Sequence, residues 1–262
     1  MSLSNTTITI LRNFARINEG LVFYPGNKLQ TISVMKNIFA CATIRQAIPF
    51  EFAILDLNKF LKTCSTMKNS EGLVNLYFRD GGLVVKNKKS VLQSFTTEIN
   101  NIFFPDGERF KMPVIEYETT DQACIIFKKE EQSITYPTCP QSAVISPGDK
   151  RIVFPEDGNN TKFILGKIDL KKILEASKVM KLKDLTVTET GILLHNRNGT
   201  SNQMEIELPD IDYSGQDTHI KVENLKLMPL DYDVEISPKG LARFTSKDKT
   251  FKIVYYLALE ND

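Results

Sequence analysis

The sequence predicts an α+β protein of two similar domains, each made of a strand, an amphipathic helix and a run of antiparallel strands. Three observations lead there: an internal duplication, alternating strand text, and helices whose apolar stripes are backed by basic faces. At 262 residues, 42% hydrophobic and 25% charged, the chain is long enough to bury two cores of ordinary size.

The duplication appears when Asp56–Met67 (DLNKFLKTCSTM) is laid over Asp169–Met180 (DLKKILEASKVM), where five of twelve positions coincide. Each segment follows an apolar run, FAIL at 52–55 and FILGKI at 163–168. Each then leads into strand-like text: LVNLYF and GGLVVKN after the first, LTVTET and GILLHN after the second. Alternation and β-branched or aromatic enrichment predict strands at Ile102–Phe104, Ala123–Phe127, Val234–Ile236 and Phe251–Leu259. Asp80-Gly81-Gly82, Asp106-Gly107 and Asp157-Gly158 read as turns. The Pro-, Gly- and Asn-rich stretch 146–161 marks the boundary, so residues 1–147 form the first domain, 148–160 a connector and 161–262 the second.

Four helices are expected. Over 5–18, Ile10, Leu11, Phe14, Ala15 and Ile17 share one face, with Arg12 and Arg16 on the other. Over 57–68 the stripe is Leu57, Phe60, Leu61, Cys64 and Met67, opposite Lys59 and Lys62. Near 170–180 the design repeats, with Leu170, Ile173, Leu174, Ser177 and Met180 inside and Lys171, Lys172 and Lys178 outside. Asp56 and Asp169 are placed to cap these last two helices. A shorter helix over 219–228, ending before Pro229, carries Lys221 and Lys226.

Charge is distributed unevenly. The net charge of +1 by itself argues against nucleic acid. Yet the first two helical segments hold two Arg and three Lys with no acid, and residues 170–183 hold five Lys against Glu175 alone. The remaining strands and loops are correspondingly acidic. One basic helix face is ordinarily just solvated, but several acid-poor faces in a chain acidic elsewhere suit a shared polyanion. Duplex DNA fits, because phosphate attraction needs no base-reading side chains.

Other classes find less support. His195 and His219 are the only histidines, and no phosphate-loop, zinc-protease or nucleophile-elbow motif occurs. Glu130–Glu131 and Asp210/Asp212 read as turn acids rather than metal ligands, so neither metal nor cofactor nor catalysis is expected. A single-stranded nucleic-acid binder is the alternative; it needs aromatic platforms among basic residues, and the chain has no Trp. No apolar run is long enough for a membrane span, and the opening residues lack a secretory pattern. Cys41, Cys64, Cys124 and Cys139, widely spread, read as reduced thiols.

Several segments resemble the sliding clamps of T-even-type bacteriophages. TITILRNFARINEGL (7–21) is similar to their opening helix, and AILDLNKFLKTCS (53–65) to their second helix with its preceding strand. QSITYP (132–137) and SAVISPGDKRIVFP (142–155) resemble their interdomain passage, and residues 228–262 their closing hairpin and strand. The resemblance implies a homotrimeric ring of six similar domains, helices lining the hole and sheets outside. It implies a non-enzymatic processivity factor for a phage DNA polymerase, set on DNA by an ATP-driven clamp loader. Late-transcription factors with the host RNA polymerase would be further partners, in the cytoplasm of an infected bacterium. The chain departs from the family by extra length within 73–120, where residues 100–120 have no evident counterpart.

On this reading Arg12, Arg16, Lys59, Lys62, Lys171, Lys172, Lys178 and Lys226 face double-stranded DNA without sequence preference. The closing strand, with Val254, Tyr255, Tyr256 and Leu257, is a candidate wall of a partner-peptide pocket. The same four residues read equally well as core and edge-strand positions.

Overall fold

A computed structural model describes residues 1–69, 72–79, 82–87, 90–94, 116–120, 124–148, 152–156, 158–197, 202–250 and 252–259. The expected strand Ile102–Phe104 and the turn at Asp106-Gly107 lie outside the described residues, as do Asp80, Gly81 and Asp157 of the other two expected turns. In chain order the first half contains β1 (Ser2–Leu3), α1 (Asn5–Phe14), β2 (Leu21–Phe23), β3 (Gly26–Ile32), β4 (Ile38–Ile48), β5 (Phe52–Ile54) and α2 (Leu57–Thr66). β6 (Val74–Arg79), β7 (Gly82–Asn87), β8 (Ser90–Ser94), β9 (Glu116–Thr120), β10 (Cys124–Lys129) and β11 (Gln132–Pro137) follow. The second half contains β12 (Thr161–Leu165), α3 (Lys167–Met180), β13 (Asp184–Val187), β14 (Gly191–His195), β15 (Met204–Glu207) and β16 (Thr218–Lys221). A 3-10 turn (Val222–Asn224), β17 (Tyr232–Ser237), β18 (Leu241–Ser246) and β19 (Lys252–Ala258) complete it.

The duplication extends through the topology. One four-stranded sheet has the order β1-β6-β10-β11, and its counterpart runs β16-β13-β14-β15. β1 precedes α1 as β16 precedes the 3-10 turn, and β6 follows α2 as β13 follows α3. β2 pairs with β5 as β17 pairs with β12, and the β3–β4 hairpin matches β18–β19. The copies differ between their first two sheet strands. The second passes from β13 to β14 through a tight turn closed by the Thr188 N–H on the Gly191 carbonyl, 2.8 Å. Gly191 is required there, since a Cβ would lie 2.1 Å from the Ile206 carbonyl oxygen. The first copy instead places β7, β8 and β9 between β6 and β10 as a separate sheet, β8-β7-β9.

The halves are joined by backbone. β19 pairs with β4, Tyr255 opposite Ala40, giving one six-stranded sheet in the order β12-β17-β18-β19-β4-β3. One contiguous apolar cluster runs beneath it, from Leu3 and Phe14 through Phe60 and Phe127 to Leu170, Tyr232 and Leu257.

The first two helices form as the periodicity predicts. Ser4 caps α1 by accepting from the Thr7 N–H, and Ile8, Ile10, Leu11 and Phe14 are buried. In α2 the Asp56 Oδ1 accepts the Lys59 N–H at 2.8 Å, and Leu57, Phe60, Leu61 and Cys64 are buried. α3 begins earlier than expected, with Gly166 at its N-cap and no side-chain cap. Asp169 therefore sits inside the first turn, pairing with Lys172 at 3.1 Å, and the Lys167 N–H is taken by Asp231.

The expected helix over 219–228 does not form. Ile220 lies opposite Leu185 in the β13–β16 ladder, and Ile220, Val222, Leu225 and Leu227 are buried. Burial at 220 and 222 follows the period of two that a strand requires, so the ladder takes this end of the segment and leaves a single 3-10 turn.

Candidate nucleic-acid interface

α1 and α2 pack together, and α3 lies across a cleft from the end of α1. α1 packs on α2, and the Arg12 guanidinium donates through Nη2 to Ser65 Oγ at 3.3 Å. Beyond the last residue of α1, Arg16 occupies a closing turn whose N–H bonds to the Asn13 carbonyl. Arg16 then shares a cleft of about 960 Å³ with Lys178 of α3 and with Lys226. Lys226 is held against α1 from below, because the buried Asn13 donates through Nδ2 to its carbonyl at 2.8 Å.

Arg12, Arg16, Lys59, Lys62, Lys171, Lys172 and Lys178 are all exposed, and Lys226 is partly so. The structure brings Arg16, Lys178 and Lys226 to one cleft. Among the described residues Lys59 and Lys62 on α2 pair with no carboxylate, whereas Lys171 and Lys172 pair within their helix with Glu175 and Asp169. The α3 face is thus less purely cationic, and it also exposes Ile168 and Val179. Three cations in the cleft carry no place in the sequence-based set: Lys183, Arg197 and Lys221. They stand at the ends of three separate strands, so no helical period could group them.

Acid collects on a sheet face turned from the core. Lys162 and Ile164 alternate outward from Phe163 and Leu165, beside Asp210, Asp212, Asp233 and Glu235. Lys247 pairs there with Asp233 at 3.3 Å. His195 and His219 flank Thr186, whose Oγ1 lies 2.7 Å from His195 Nε2 and 2.8 Å from His219 Nδ1. Among the described residues no group of three or more His, Cys, Asp or Glu is placed to hold a metal, and no helix is long and apolar enough to cross a membrane. Of the aromatic rings, Phe23 stacks on Phe52 and Phe60 packs against Phe127 and Tyr136 inside the core. Phe50 and Tyr77 are the large exposed rings among the described residues, too few for a stacking platform.

The closing strand divides by alternation. Tyr255 and Leu257 are fully buried, so they cannot wall a surface pocket, and that expectation is corrected for both. Val254 and Tyr256 lie on the opposite face, partly exposed, with Tyr256 against Phe39 and Phe154. A second hollow of about 430 Å³, adjoining the cleft of Arg16 and Lys178, lies where exposed Val34, Leu55 and Ile145 meet Ile17 and Val144, with Arg16, Glu19 and Lys226 also lining it. Asn18 fixes its walls by donating through Nδ2 to the carbonyls of Ile32 and Ile145. Its residues come from the first helix's end, a hairpin turn, a strand end and the stretch just before the connector, so sequence spacing gives no hint of it.

Residues 2–100 match the family model described as DNA polymerase processivity factor. The sliding clamp of Vibrio phage KVP40 is 25% identical over 268 aligned residues, covering 99% of this chain and 99% of that protein. The sliding clamp of Enterobacteria phage T4 is 26% identical, covering 100% and 98%. Among solved structures, A. fulgidus PCNA bound to the C-terminal region of FEN-1 superposes with a TM-score of 0.62 at 12% identity, covering 100% of this chain and 98% of that one. PCNA from Thermococcus kodakaraensis gives 0.58 at 10% identity, covering 99% of each chain. The chain shares the fold of these PCNA structures along its whole length.

Proposed function

We propose that this chain, a relative of the T4-like phage sliding clamps along its whole length, is a DNA sliding clamp that holds a phage DNA polymerase on duplex DNA. One observation carries the reading: α1 packs on α2, and Arg16, just beyond α1, converges on one cleft with Lys178 of α3 and with Lys226. Arg12, Arg16, Lys59, Lys62, Lys171, Lys172, Lys178 and Lys226 attract phosphates over the roughly 8–10 Å at which exposed charges still interact. Weak, screened contacts suit a tether that must slide; none of them reads a base edge.

A single chain cannot encircle DNA, so the proposal includes assembly into a homotrimeric ring of six domains, with 1–147 and 161–262 as the two domains of each subunit. β11 and β15, at the ends of their four-stranded sheets, offer unpaired edges through which subunits join. The ring is opened by an ATP-driven loader and acts in the cytoplasm of the infected bacterium. Polymerase and late-transcription factors, the latter with host RNA polymerase, dock apolar tail peptides in the hollow of Val34, Leu55 and Ile145.

The test is topological. Protein loaded on closed circular duplex resists a salt wash and is released once the circle is cut. Release at the same rate from intact circles, or a native mass that never exceeds the monomer, ends the proposal.

A further inference from the structure

We propose that Arg243 latches the connector stretch 152–156 across the six-stranded sheet, on the face turned from the core, with Phe154 plugging an aromatic slot. The inference stands apart from the clamp reading, because it concerns how this chain holds its own connector.

The slot is built by register. Phe39 of β4 lies opposite Tyr256 of β19, Tyr256 opposite Arg243 of β18, and Arg243 opposite Glu235 of β17. Residues directly opposite on antiparallel strands share a face. These four therefore form one row, on the side away from the buried Tyr255 and Leu257. The row crosses the β19–β4 junction between the two halves of the chain. Its two rings stand 5.8 Å apart. Beside them Arg243 is anchored by donating through Nη2 to Glu235 Oε1 at 2.7 Å.

The connector closes over that row. Phe154 is only 6% exposed, whereas Val153 next to it is 84% exposed, so a single ring of the pair turns inward. The Arg243 guanidinium carbon sits 4.3 Å from the centre of the Phe154 ring, a cation–π contact, and the Tyr256 ring is 6.5 Å away. Arg243 Nη1 also lies 3.6 Å from Glu156 Oε1. Farther on, the buried Asn160 donates through Nδ2 to the Pro155 carbonyl at 3.0 Å, bracing the end of the stretch.

One guanidinium thus makes both charged contacts of the strap. The Glu156 pair is exposed and adds little, so the stack on the buried ring is the stronger of the two. Closure also has a cost. Among the described residues Arg243 Nε and Asn160 Oδ1 are buried without a hydrogen-bond partner. The balance is close, and what offsets the cost acts largely through one charge. Screening that charge loosens Phe154 and Glu156 together and opens the strap. Closed, the strap denies Phe39 and Tyr256 to any other apolar side chain.

The experiment follows thermolysin cleavage of the full chain at the Ile152–Val153 bond, read by mass spectrometry as fragments 1–152 and 153–262. That bond enters the protease only when Phe154 leaves its slot, so the rate tracks the open population. Each rate is divided by that on a synthetic peptide of the same connector sequence, 148–160, in the same buffer. Arg243→Gln and Phe154→Ala are each expected to raise the normalised rate roughly 5–30-fold, and Glu156→Gln no more than about 5-fold. Raising salt from about 0.1 to about 1 M is expected to speed wild-type cleavage and leave Arg243→Gln unchanged. Wild-type rates in both Arg243→Gln and Phe154→Ala overturn the latch. So does faster cutting throughout the Arg243→Gln chain with Phe154→Ala at the wild-type rate, since Arg243 then only supports the sheet. Wild-type cleavage indifferent to salt overturns the role of charge. None of these outcomes bears on duplex binding.

Discussion

The phenol of Tyr255, in the last strand, donates to Asn13 Oδ1, in the first helix, across 2.7 Å in the buried interior. The Tyr255 hydroxyl oxygen in turn accepts the Met228 N–H at 3.2 Å, and Tyr232 donates to the Met228 carbonyl at 2.7 Å. Asn13 passes the connection to the Lys226 carbonyl. A polar network therefore ties both ends of the chain to the segment that replaced a helix, directly beneath two of the cleft cations.

Tyr255→Phe leaves the Asn13 oxygen and the Met228 N–H without their partner. It should cost about 1–3 kcal/mol, the penalty for unpaired buried polar groups. Denaturant unfolding measures it, and a double-mutant cycle with Asn13→Ala should show coupling of at least about 0.5 kcal/mol. Strict additivity would mean that the two side chains act independently.

Lys59→Glu with Lys62→Glu should slow loading or processive synthesis while changing stability by no more than about 0.5 kcal/mol, since both side chains are exposed. Primer extension on a long single-primed circle reads the first, thermal unfolding the second. Undiminished product length would count against the helix faces as the DNA-facing surface.

Asp56→Ala should destabilise by about 1 kcal/mol, because its carboxylate caps α2. Asp169→Ala should cost less, about 0.3–1 kcal/mol, because it caps no backbone N–H and contributes charge near the helix N-terminus and an exposed pair with Lys172. Equal losses on chemical denaturation would show that the two positions are equivalent after all.

Burial pushes the Cys64 thiol up to about 12 and, aided by the Asp56 charge, the Tyr136 phenol up to about 12. Both protonated groups are favoured by the folded state. Their stabilisation is intact below the unfolded values, about 8.5 for Cys and 10 for Tyr, and is lost as pH rises from there toward 12. Unfolding midpoints should fall over that alkaline range, and Cys64→Ala should flatten the part of the decline that begins near pH 8.5–9. Rapid alkylation of Cys64 in the native protein near pH 8 would contradict the assignment.

Much of this was legible in advance where local rules govern. The stripes of α1 and α2, the Asp56 cap and the duplicated strand-helix-strand order depend on neighbours within a few residues. The fourth helix was misread because HIKVENLKLM satisfies a helical reading and a strand reading at once. Pairing of Ile220 with the β13 ladder decides between them, and that partner is far away in sequence. The grouping of Lys183, Arg197 and Lys221, and the hollow of Val34, Leu55 and Ile145, could not be seen for the same reason, although Lys221 and the lysine run ending at Lys183 read as basic. Each gathers residues from segments joined only by tertiary contact. Tyr255 was open to a surface or a core reading, and alternation along β19 decides it by turning the ring inward.

The β19–β4 ladder makes the junction inside each subunit a continuous hydrogen-bonded span rather than a hinge. An annulus made from this chain has no soft joint within any one of its members. If the proposed ring forms, opening it would have to break contacts between molecules rather than within one.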